Sequence, residues 1–432
     1  MGQSKGKILM NKFIILDINH GGDYLASILK DNGYEVIVYD IYQKRGEKRQ
    51  KLDEKGIRVF ESVEQEYPDY TVVYPVHCPD HFLSSFSNNK KLTHHALVNF
   101  LFKKKNNTVE ITGSKGKTTT SYTLAFLLSF EEELLLNSSR GFERFTNGET
   151  RLIEKTNSIS AGYTARILSK DYPRCQVFEE SLGVCGVGNI SILTSINPIY
   201  NIKGGNGNSL DAKKQLFELS KENIIIDSKD KTANDLANNY EKDVFRIWED
   251  VKIEIPDYLE IGKDVITSIY FKDLELKSKF NGNYILVGYL NPILFSFMAL
   301  KILNKNLEKA SSYLANYNGV YNRLSVVTEN SFTKIIDKSG GFSEESLRYI
   351  LSLLKRNYDM FYKNINLLID LTNVSHCQKI DVNLLDSVIG EFDNLIDNAF
   401  LVGDYDFERF KYLKNSTELN IQKGDLLIEC GK

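Results

Sequence analysis

A short segment rich in glycine and lysine, residues 113–120, carries the clearest chemical signal of the sequence. It consists of Gly-Ser-Lys-Gly-Lys-Thr-Thr-Thr, follows the apolar run Thr108–Thr112 and opens a stretch of helical character near Thr118. Glycines at such a turn let backbone N–H groups surround an anion, and the N-terminus of the following helix adds partial positive charge. The segment therefore predicts a loop that binds the phosphates of a nucleotide.

Individual residues of this loop have separate predicted roles. Lys117 is expected to reach the β- and γ-phosphates, and the Thr118 hydroxyl is expected to bind Mg²⁺. The alternative is an ordinary helix N-terminus capped by threonines, with Lys117 solvated. The order of strand, glycines, lysine and threonine favours nucleotide binding. The predicted ATP contacts are Gly113, Ser114, Lys115, Gly116, Lys117, Thr118 and Thr119.

A second candidate is Glu179, which follows the apolar residues Val177 and Phe178. A carboxylate at the end of a buried strand is suited to hold Mg²⁺ near bound phosphates. The alternative is that Glu179 and Glu180 form a solvated acidic pair at a strand end. The sequence favours Glu179 as a metal ligand.

The elements that must position these residues alternate between strand and helix along the chain. Apolar runs at residues 13–17, 34–40, 108–112, 332–337, 365–371 and 398–402 predict strands, and 24–30 and 343–356 predict helices. This alternation is typical of parallel α/β units. The predicted fold class is α/β with three domains: an N-terminal substrate-binding domain at 1–105, a central ATP-binding domain at 106–322 and a C-terminal domain at 323–432.

Composition excludes several other classes of protein. The net charge of the 432 residues is only -3, without the basic surface of a nucleic-acid-binding protein. The five cysteines never occur as CxxC, which fits a reducing cytosol rather than a disulfide or zinc framework. The first apolar run is too short for a signal peptide or a membrane span. We therefore expect a cytoplasmic enzyme, starting at Met1 or Met10, with no membrane partner.

The phosphate loop is shorter than the usual Walker loop, because two residues separate Gly113 from Gly116. This form, T-G-x-x-G-K-T-T, resembles the Mur ligase and folylpolyglutamate synthetase superfamily. The resemblance implies a Rossmann-like N-terminal domain, a central P-loop ATPase domain and a Rossmann-like C-terminal domain. It also implies ATP and two Mg²⁺ ions as cofactors, and a carboxylate activated as an acyl phosphate with release of ADP.

Further segments resemble the same superfamily in order along the chain. Glu179 matches its Mg²⁺ ligand, and Lys213 matches a lysine that is commonly carbamylated to bind a second Mg²⁺. Asn291, in Gly-Tyr-Leu-Asn, matches a residue that contacts the nucleotide base. Arg323 matches an arginine that faces the phosphates, and Asp337 matches a strand-end aspartate of the C-terminal domain. The resemblance implies that Lys117, Glu179, Lys213 and Arg323 are catalytic.

Two positions depart from the peptidoglycan ligases of that superfamily. Tyr200 occupies the place of a metal-site histidine, and residues 337–341, Asp-Lys-Ser-Gly-Gly, replace their D-x-A-H-N-P segment. Other segments instead resemble the coenzyme F(430) synthetase family: residues 17–22, 75–79, 93–95 and 181–188. In that family ATP activates a propionate of a nickel seco-tetrapyrrole, and a ring carbon then closes a carbocyclic ring.

Histidines are concentrated in the first hundred residues, at positions after strands or just before a helix. Such positions are where α/β domains bind ligands, and imidazoles there could contact carboxylates or nickel. The alternative for each histidine is an ordinary polar residue or helix cap. The predicted substrate contacts are His20, Gly21, Gly22, His77, His94, His95 and Tyr200.

Two other functions remain open at this point. The first is a Mur-type amide ligase, such as a pseudomurein peptide ligase or a polyglutamylating enzyme. Two features distinguish this chain from it: the loops of the first domain that are rich in histidine and glycine, and the absence of the metal-site histidine and of the D-x-A-H-N-P segment. The second is a P-loop ATPase switch, which would need a lysine earlier in the loop, where this chain has Thr112 and Gly113. The sequence does not give the oligomeric state.

Overall fold

The computed structural model describes residues 11–43, 46–62, 67–103, 105, 107–155, 158–173, 175–329, 332–338, 343–372, 382–402, 409–416 and 419–431. The described chain forms two compact units. The first contains residues up to Asp250 together with Phe295–Lys305, and the second contains Val251–Leu294 and the residues from Asn306 onward. Met10, Cys377 and Ser339–Gly341, on which sequence predictions were based, lie outside the described residues.

The first unit opens with a parallel α/β sheet. Its elements are β1 (Lys12–Leu16), α1 (Gly22–Asp31), β2 (Glu35–Tyr39), α2 (Glu47–Glu54), β3 (Arg58–Phe60), β4 (Thr71–Tyr74), α3 (Asp80–Ser84), β5 (Lys91–Thr93) and α4 (His94–Leu101). The five strands lie in the order β3-β2-β1-β4-β5, all parallel. Because β1 and β4 are central neighbours, the loops that follow them meet at one edge of the sheet.

The first unit continues with a second sheet, built around β6. Its elements are β6 (Thr108–Thr112), α5 (Lys117–Leu128), β7 (Leu134–Ser138), β8 (Gly141–Thr146), β9 (Glu149–Glu154), α6 (Ala161–Leu168), β10 (Cys175–Glu179), β11 (Ile190–Leu193), β12 (Asn201–Ile202), β13 (Gly207–Asn208), α7 (Ser209–Leu219), β14 (Asn223–Asp227), α8 (Lys231–Ala237) and β15 (Val244–Ile247). Strand β6 lies between β10 and β11 and is parallel to both. Strands β8 and β9 extend the β7 edge as an antiparallel hairpin.

The two sheets of the first unit share one hydrophobic core. Val98 of α4, Tyr163 of α6 and Val187, in the loop after β10, belong to the same buried cluster as Phe13 of β1. Apolar burial of this kind is the main stabilising term in folding. The sharing fixes the loops of one sheet against elements of the other.

The second unit contains an antiparallel sheet and a mostly parallel one. Its elements are β16 (Val251–Ile253), β17 (Leu259–Glu260), β18 (Val265–Phe271), β19 (Leu274–Phe280), the start of α9 (Leu290–Ile302), α10 (Leu307–Tyr313), β20 (Ser325–Glu329), β21 (Phe332–Asp337), α11 (Glu344–Asn357), β22 (Tyr358–Asp359), β23 (Ile365–Asp370), α12 (Val382–Gly390), β24 (Asn398–Val402), β25 (Lys411–Leu413) and β26 (Leu426–Gly431). The larger sheet has the order β20-β21-β26-β23-β24-β25, with β20 antiparallel to the rest.

The predicted alternation of strands and helices is confirmed along the described chain. The predicted helix at 343–356 is α11, which has Ser343 as its N-cap, Glu344 in its first turn and Lys355 in its last. The serine cap, and side-chain charges that interact favourably with the helix dipole, explain why the helix begins after Ser343 and ends near Asn357. The domain boundaries at residues 105 and 322 stay a prediction. No helix in the described ranges combines the length and apolarity needed to cross a membrane.

Candidate active site

The phosphate loop joins β6 to α5, as predicted from the sequence. Gly113 has a φ of 148°, and a Cβ there would lie 2.1 Å from the Thr194 hydroxyl oxygen, so this position requires glycine. Gly116 has left-handed backbone geometry and caps α5. Lys117 Nζ donates a hydrogen bond of 2.7 Å to the Gly113 carbonyl. The lysine is thus folded over the loop, in the position of a side chain that contacts an anion bound there.

A neighbouring segment braces the loop from the side. The Thr194 hydroxyl, just after β11, donates to the Lys115 carbonyl at 2.7 Å, and the Ser195 hydroxyl accepts from Lys115 N–H at 2.9 Å. The Ser114 hydroxyl donates to the Ile196 carbonyl at 2.6 Å. Sequence analysis did not find this bracing role, because no local pattern indicates side-chain contacts to a distant loop.

Glu179 ends β10 beside the loop and is buried. Its carboxylate accepts from the Thr118 hydroxyl at 3.0 Å and from Ser139 N–H at 3.1 Å. A carboxylate and a hydroxyl side by side are hard oxygen donors, the ligand type that Mg²⁺ prefers. The alternative of a solvated acidic pair is wrong, because Glu179 and Glu180 are both buried.

Lys213 lies on α7 and is completely buried, which excludes a surface charge. Its ammonium donates to the Ser114 hydroxyl at 2.9 Å and lies 4.9 Å from the centre of the Tyr200 ring. Burial, together with the charge of the nearby Lys117 ammonium, lowers the pKa of Lys213 to about 8. Among the residues that the structure describes, no carboxylate offsets these effects. A buried cation beside a second lysine is costly unless it meets an anion or becomes one.

A pair of buried carboxylates, Glu110 and Glu180, fixes the loop that follows β10. Glu110 accepts from the N–H groups of Cys185, Gly186 and Gly188 at 2.8–3.0 Å, and Glu180 accepts from Cys185 N–H at 2.9 Å. Burial raises the pKa of Glu110 to about 7. Burial, together with the Glu110 charge, raises the pKa of Glu180 to about 8. Sequence analysis missed Glu110, because its strand is otherwise apolar.

The predicted substrate histidines lie at the carboxyl edge of the first sheet. Asp17 is buried after β1 and contacts His20 Nδ1, and the His20 and His77 rings are 4.3 Å apart between centroids. His94 and His95 are buried in the first turn of α4, rather than in a loop. Within the described part of the chain, no hydrogen-bond partner reaches Nε2 of His77 or of His94, or either ring nitrogen of His95.

Burial keeps the imidazoles of His77, His94 and His95 neutral. Burial lowers the pKa of His77 and of His94 to about 4, and that of His95 to about 3. The pKa of Asp17 is lowered, because hydrogen bonds from His20 and from Asn19 outweigh the effect of burial. This edge of the sheet therefore combines the Asp17 carboxylate with the uncharged imidazoles of His77, His94 and His95.

Gly21 and Gly22 have packing reasons of their own. Gly21 has a φ of 92° and begins α1, and a Cβ there would lie 2.8 Å from Gly162 Cα on α6. A Cβ on Gly22 would lie 1.9 Å from the Asp17 carbonyl. Both glycines thus allow the His20 turn to close and to approach α6.

The edge of the first sheet that carries His20, His77, His94 and His95 is called the histidine edge below. Within the first unit it is joined to α7, the helix that carries Lys213. Val76, next to His77, packs in one buried cluster with Ile202 and with Ala212, next to Lys213. The Thr93 hydroxyl, next to His94, donates to the Gln215 side chain at 2.6 Å. These contacts link the predicted substrate residues to the helix that carries the predicted second metal ligand.

The remaining predicted residues, Asn291, Arg323 and Asp337, belong to the second unit. Asn291 is the second residue of α9 and is half-buried. The Asp337 carboxylate accepts from Leu324 N–H at 3.2 Å, which brings it beside Arg323. The Arg323 carbonyl accepts from the Tyr289 hydroxyl at 2.7 Å, which fixes the backbone of this turn.

The whole chain has the fold of the Mur ligases. The MurF ligase of Thermotoga maritima, solved in complex with ADP, aligns with a TM-score of 0.60 and 15% identity over 99% of this chain and 95% of that one. The UDP-N-acetylmuramate–alanine ligase MurC of the same organism aligns with a TM-score of 0.51 and 16% identity, over 97% and 95% of the two chains. The predicted three-domain Mur-ligase-like architecture is therefore confirmed.

Similarity to curated proteins adds the reaction class. The protein is an ATP-dependent ligase with the Mur ligase fold, which removes the P-loop switch as an alternative. It is similar to the coenzyme F(430) synthetase of Methanosarcina acetivorans, with 25% identity over 92% of this chain and 91% of that protein. It is also similar to the coenzyme F(430) synthetase of Methanocaldococcus jannaschii, with 27% identity over 96% and 97% of the two chains. No family model matches the chain.

Proposed function

We propose that the protein uses ATP to activate a propionate carboxylate of a nickel seco-tetrapyrrole and then closes a carbocyclic ring, giving coenzyme F(430). The observation that carries this proposal is the similarity, over nearly the whole chain, to two proteins named coenzyme F(430) synthetase. We assign the reaction to the cytoplasm, in keeping with five cysteines that never occur as CxxC.

The proposed chemistry has two steps. A carboxylate oxygen of the substrate attacks the γ-phosphorus of ATP, the bond to the β-γ bridging oxygen breaks, and ADP leaves. A ring carbon, after losing a proton to a base, attacks the acyl carbon, and inorganic phosphate leaves. The net change is one ATP converted to ADP and phosphate and one water lost from the tetrapyrrole.

The phosphate loop supports the first step. Lys117, held over Gly113, would neutralise charge on the transferring phosphoryl group, and the backbone N–H groups of Gly116 to Thr119, at the start of α5, would hold the phosphates. The Thr118–Glu179 pair suits one Mg²⁺, which supplies positive charge to phosphate oxygens when bound. Following the family resemblance, Asn291 would contact the base, and Arg323 and Asp337 the nucleotide.

Lys213 is proposed to act as a carbamate. Its amine is buried, has a pKa lowered to about 8 and lies beside Lys117, so it is readily neutral and able to add CO₂ with loss of a proton. The carbamate would turn a costly buried cation into an anion facing Lys117. Such an anion is a suitable ligand for a second Mg²⁺.

The tetrapyrrole is proposed to bind at the histidine edge of the first sheet. Buried neutral imidazoles without hydrogen-bond partners in the described chain could donate to propionate and acetate groups. The contacts of Val76 with Ala212 and of Thr93 with Gln215 support a substrate that reaches from this edge toward Lys213. Tyr200, beneath Lys213, would lie at the same side.

The test is an ADP-release assay with purified full-length protein, Mg²⁺ and ATP. The nickel seco-tetrapyrrole acid is compared with a panel of peptide and glutamate acceptors. We expect ADP release with the tetrapyrrole alone, together with loss of the mass of one water from it. ADP release that requires an amino-acid acceptor would instead identify a Mur-type amide ligase, which the MurF-like fold also accommodates.

A further inference from the structure

Three polar side chains converge where the loops after β1 and β4 meet. Asp17 and His20 belong to the first loop and His77 to the second, and each offers one ligand atom within 4.8 Å of the others. Donor atoms around a tetrahedral ion with bonds of ~2.1 Å are about 3.4 Å apart. The three side chains are therefore already near the spacing of metal ligands without any rearrangement of the two strands.

The cluster is built rather than accidental. Asp17 is completely buried with a φ of 76°, and its carboxylate accepts from Asn19 N–H at 2.7 Å and from His20 N–H at 3.2 Å. These bonds fix the carboxylate against His20. Nε2 of His77 is buried and, among the described residues, has no hydrogen-bond partner. A buried polar atom without a partner is costly, and a bound ligand would remove that cost.

We propose that Asp17, His20 and His77 bind one divalent transition-metal ion of the zinc and nickel class. Two imidazoles and one carboxylate are the donors that such ions prefer, whereas Mg²⁺ and Ca²⁺ prefer oxygen alone. Three protein ligands leave a coordination position open. The His20 side chain is 47% exposed, so this position has access from solvent. An oxygen of a carboxylate substrate or a water could occupy it.

This site is distinct from the predicted Mg²⁺ site at Thr118 and Glu179, and it does not rest on the proposed function. It binds the free ion without any tetrapyrrole. That property separates it from a histidine that merely approaches the nickel of a bound substrate.

The experiment uses full-length protein treated with a chelator and then titrated with Co²⁺, followed by visible absorption. We expect one Co²⁺ per chain, displaced by Zn²⁺. His77→Ala and His20→Ala should each weaken binding by more than about 100-fold, because loss of a direct ligand exceeds the effect of losing an outer one. His81→Ala is the matched control, since His81 is exposed nearby at the start of α3 and should change nothing.

Two further variants keep the test decisive. Glu179→Gln removes the carboxylate of the predicted Mg²⁺ site, where Co²⁺ could also bind, and should retain the signal. His77→Gln, together with circular dichroism, replaces His77→Ala if the latter unfolds. Equal Co²⁺ affinity in the wild type and the His77 variants would overturn the site. Absence of binding, or binding only when the nickel tetrapyrrole is present, would overturn it as well.

Discussion

The phosphate loop and the histidine edge lie in the same compact unit but satisfy their polar groups in different ways. Around the loop, the Lys117, Thr118 and Lys213 side chains each have a protein partner within 3.0 Å. At the histidine edge, His77 and His95 have buried ring nitrogens without any partner in the described chain. These three loop side chains thus have hydrogen-bond partners before a ligand binds, whereas the histidine edge has buried ring nitrogens that a ligand could pair with.

This difference in hydrogen bonding indicates which of the two sites determines substrate specificity. A loop whose Lys117 and Thr118 side chains are already hydrogen-bonded is preorganised, so binding a nucleotide costs little rearrangement. Unpartnered buried imidazoles destabilise the free protein by a modest amount and reward whatever ligand pairs with them. We therefore expect substitutions at the loop to affect chemistry, and substitutions at the histidine edge to affect substrate choice.

The largest effect is expected for Lys117→Ala. Removing the ammonium that we propose faces the transferring phosphoryl group should lower kcat by about 1,000-fold, as loss of a preorganised donor does elsewhere. The fold should persist, because the Lys117 side chain is only partly buried and bonds to a backbone carbonyl of its own loop. ADP release and thermal unfolding measure the two properties. Normal turnover in this variant would remove the phosphate-loop assignment.

The two regions also differ in how much of them the sequence predicts. The loop is contiguous, so glycine spacing, Lys117 and Thr118 indicate it without any tertiary information. Glu179 is predicted because it ends an apolar strand, and its contact with Thr118 follows from the parallel neighbours β6 and β10. The roles of these residues in catalysis stay predictions.

The histidine edge is predicted less completely, because its residues come from three separated segments. The sequence indicates a histidine-rich first domain but not that Asp17 joins His20 and His77, nor that His95 is buried. Glu110 was missed for a related reason. An acid inside an apolar strand has no local signature, and its role depends on three N–H groups about 75 residues away along the chain.

The next largest effect is expected for Lys213→Ala, which tests whether the site at the phosphate loop needs the proposed carbamate for turnover. Turnover should fall by about 100-fold, comparable to the loss of a metal-site group. Added formate or acetate should restore part of the activity by supplying the missing anion. Lys214→Ala, which removes a half-exposed lysine paired with Asp211 on the same helix, is the matched control. Equal activity of the two variants would show that turnover does not need Lys213.

A smaller effect is expected for the buried carboxylate pair Glu110 and Glu180, which fixes the loop after β10. The pKa of Glu180 is raised to about 8 and that of Glu110 to about 7, so the stability they provide is complete below pH 4.5 and is lost as pH rises through 7 and 8. Between pH 5 and 8, the free energy of unfolding should therefore fall by about 2 kcal/mol less in Glu180→Gln than in the wild type. Chemical denaturation across this pH range measures the difference. Parallel pH profiles would show that Glu180 is ionised in the folded protein.

The smallest effect is expected at His95, whose ring nitrogens contrast most clearly with the hydrogen-bonded side chains of the loop. Both of its ring nitrogens are buried without a partner among the described residues, and burial lowers its pKa to about 3. Replacing the imidazole with an apolar side chain of similar size removes an unsatisfied group, so His95→Leu should raise the free energy of unfolding by about 1 kcal/mol. Thr118→Val, at the loop, removes a satisfied hydroxyl instead and should lower it. If both variants are destabilised alike, His95 is hydrogen-bonded in solution and the histidine edge is as complete as the loop.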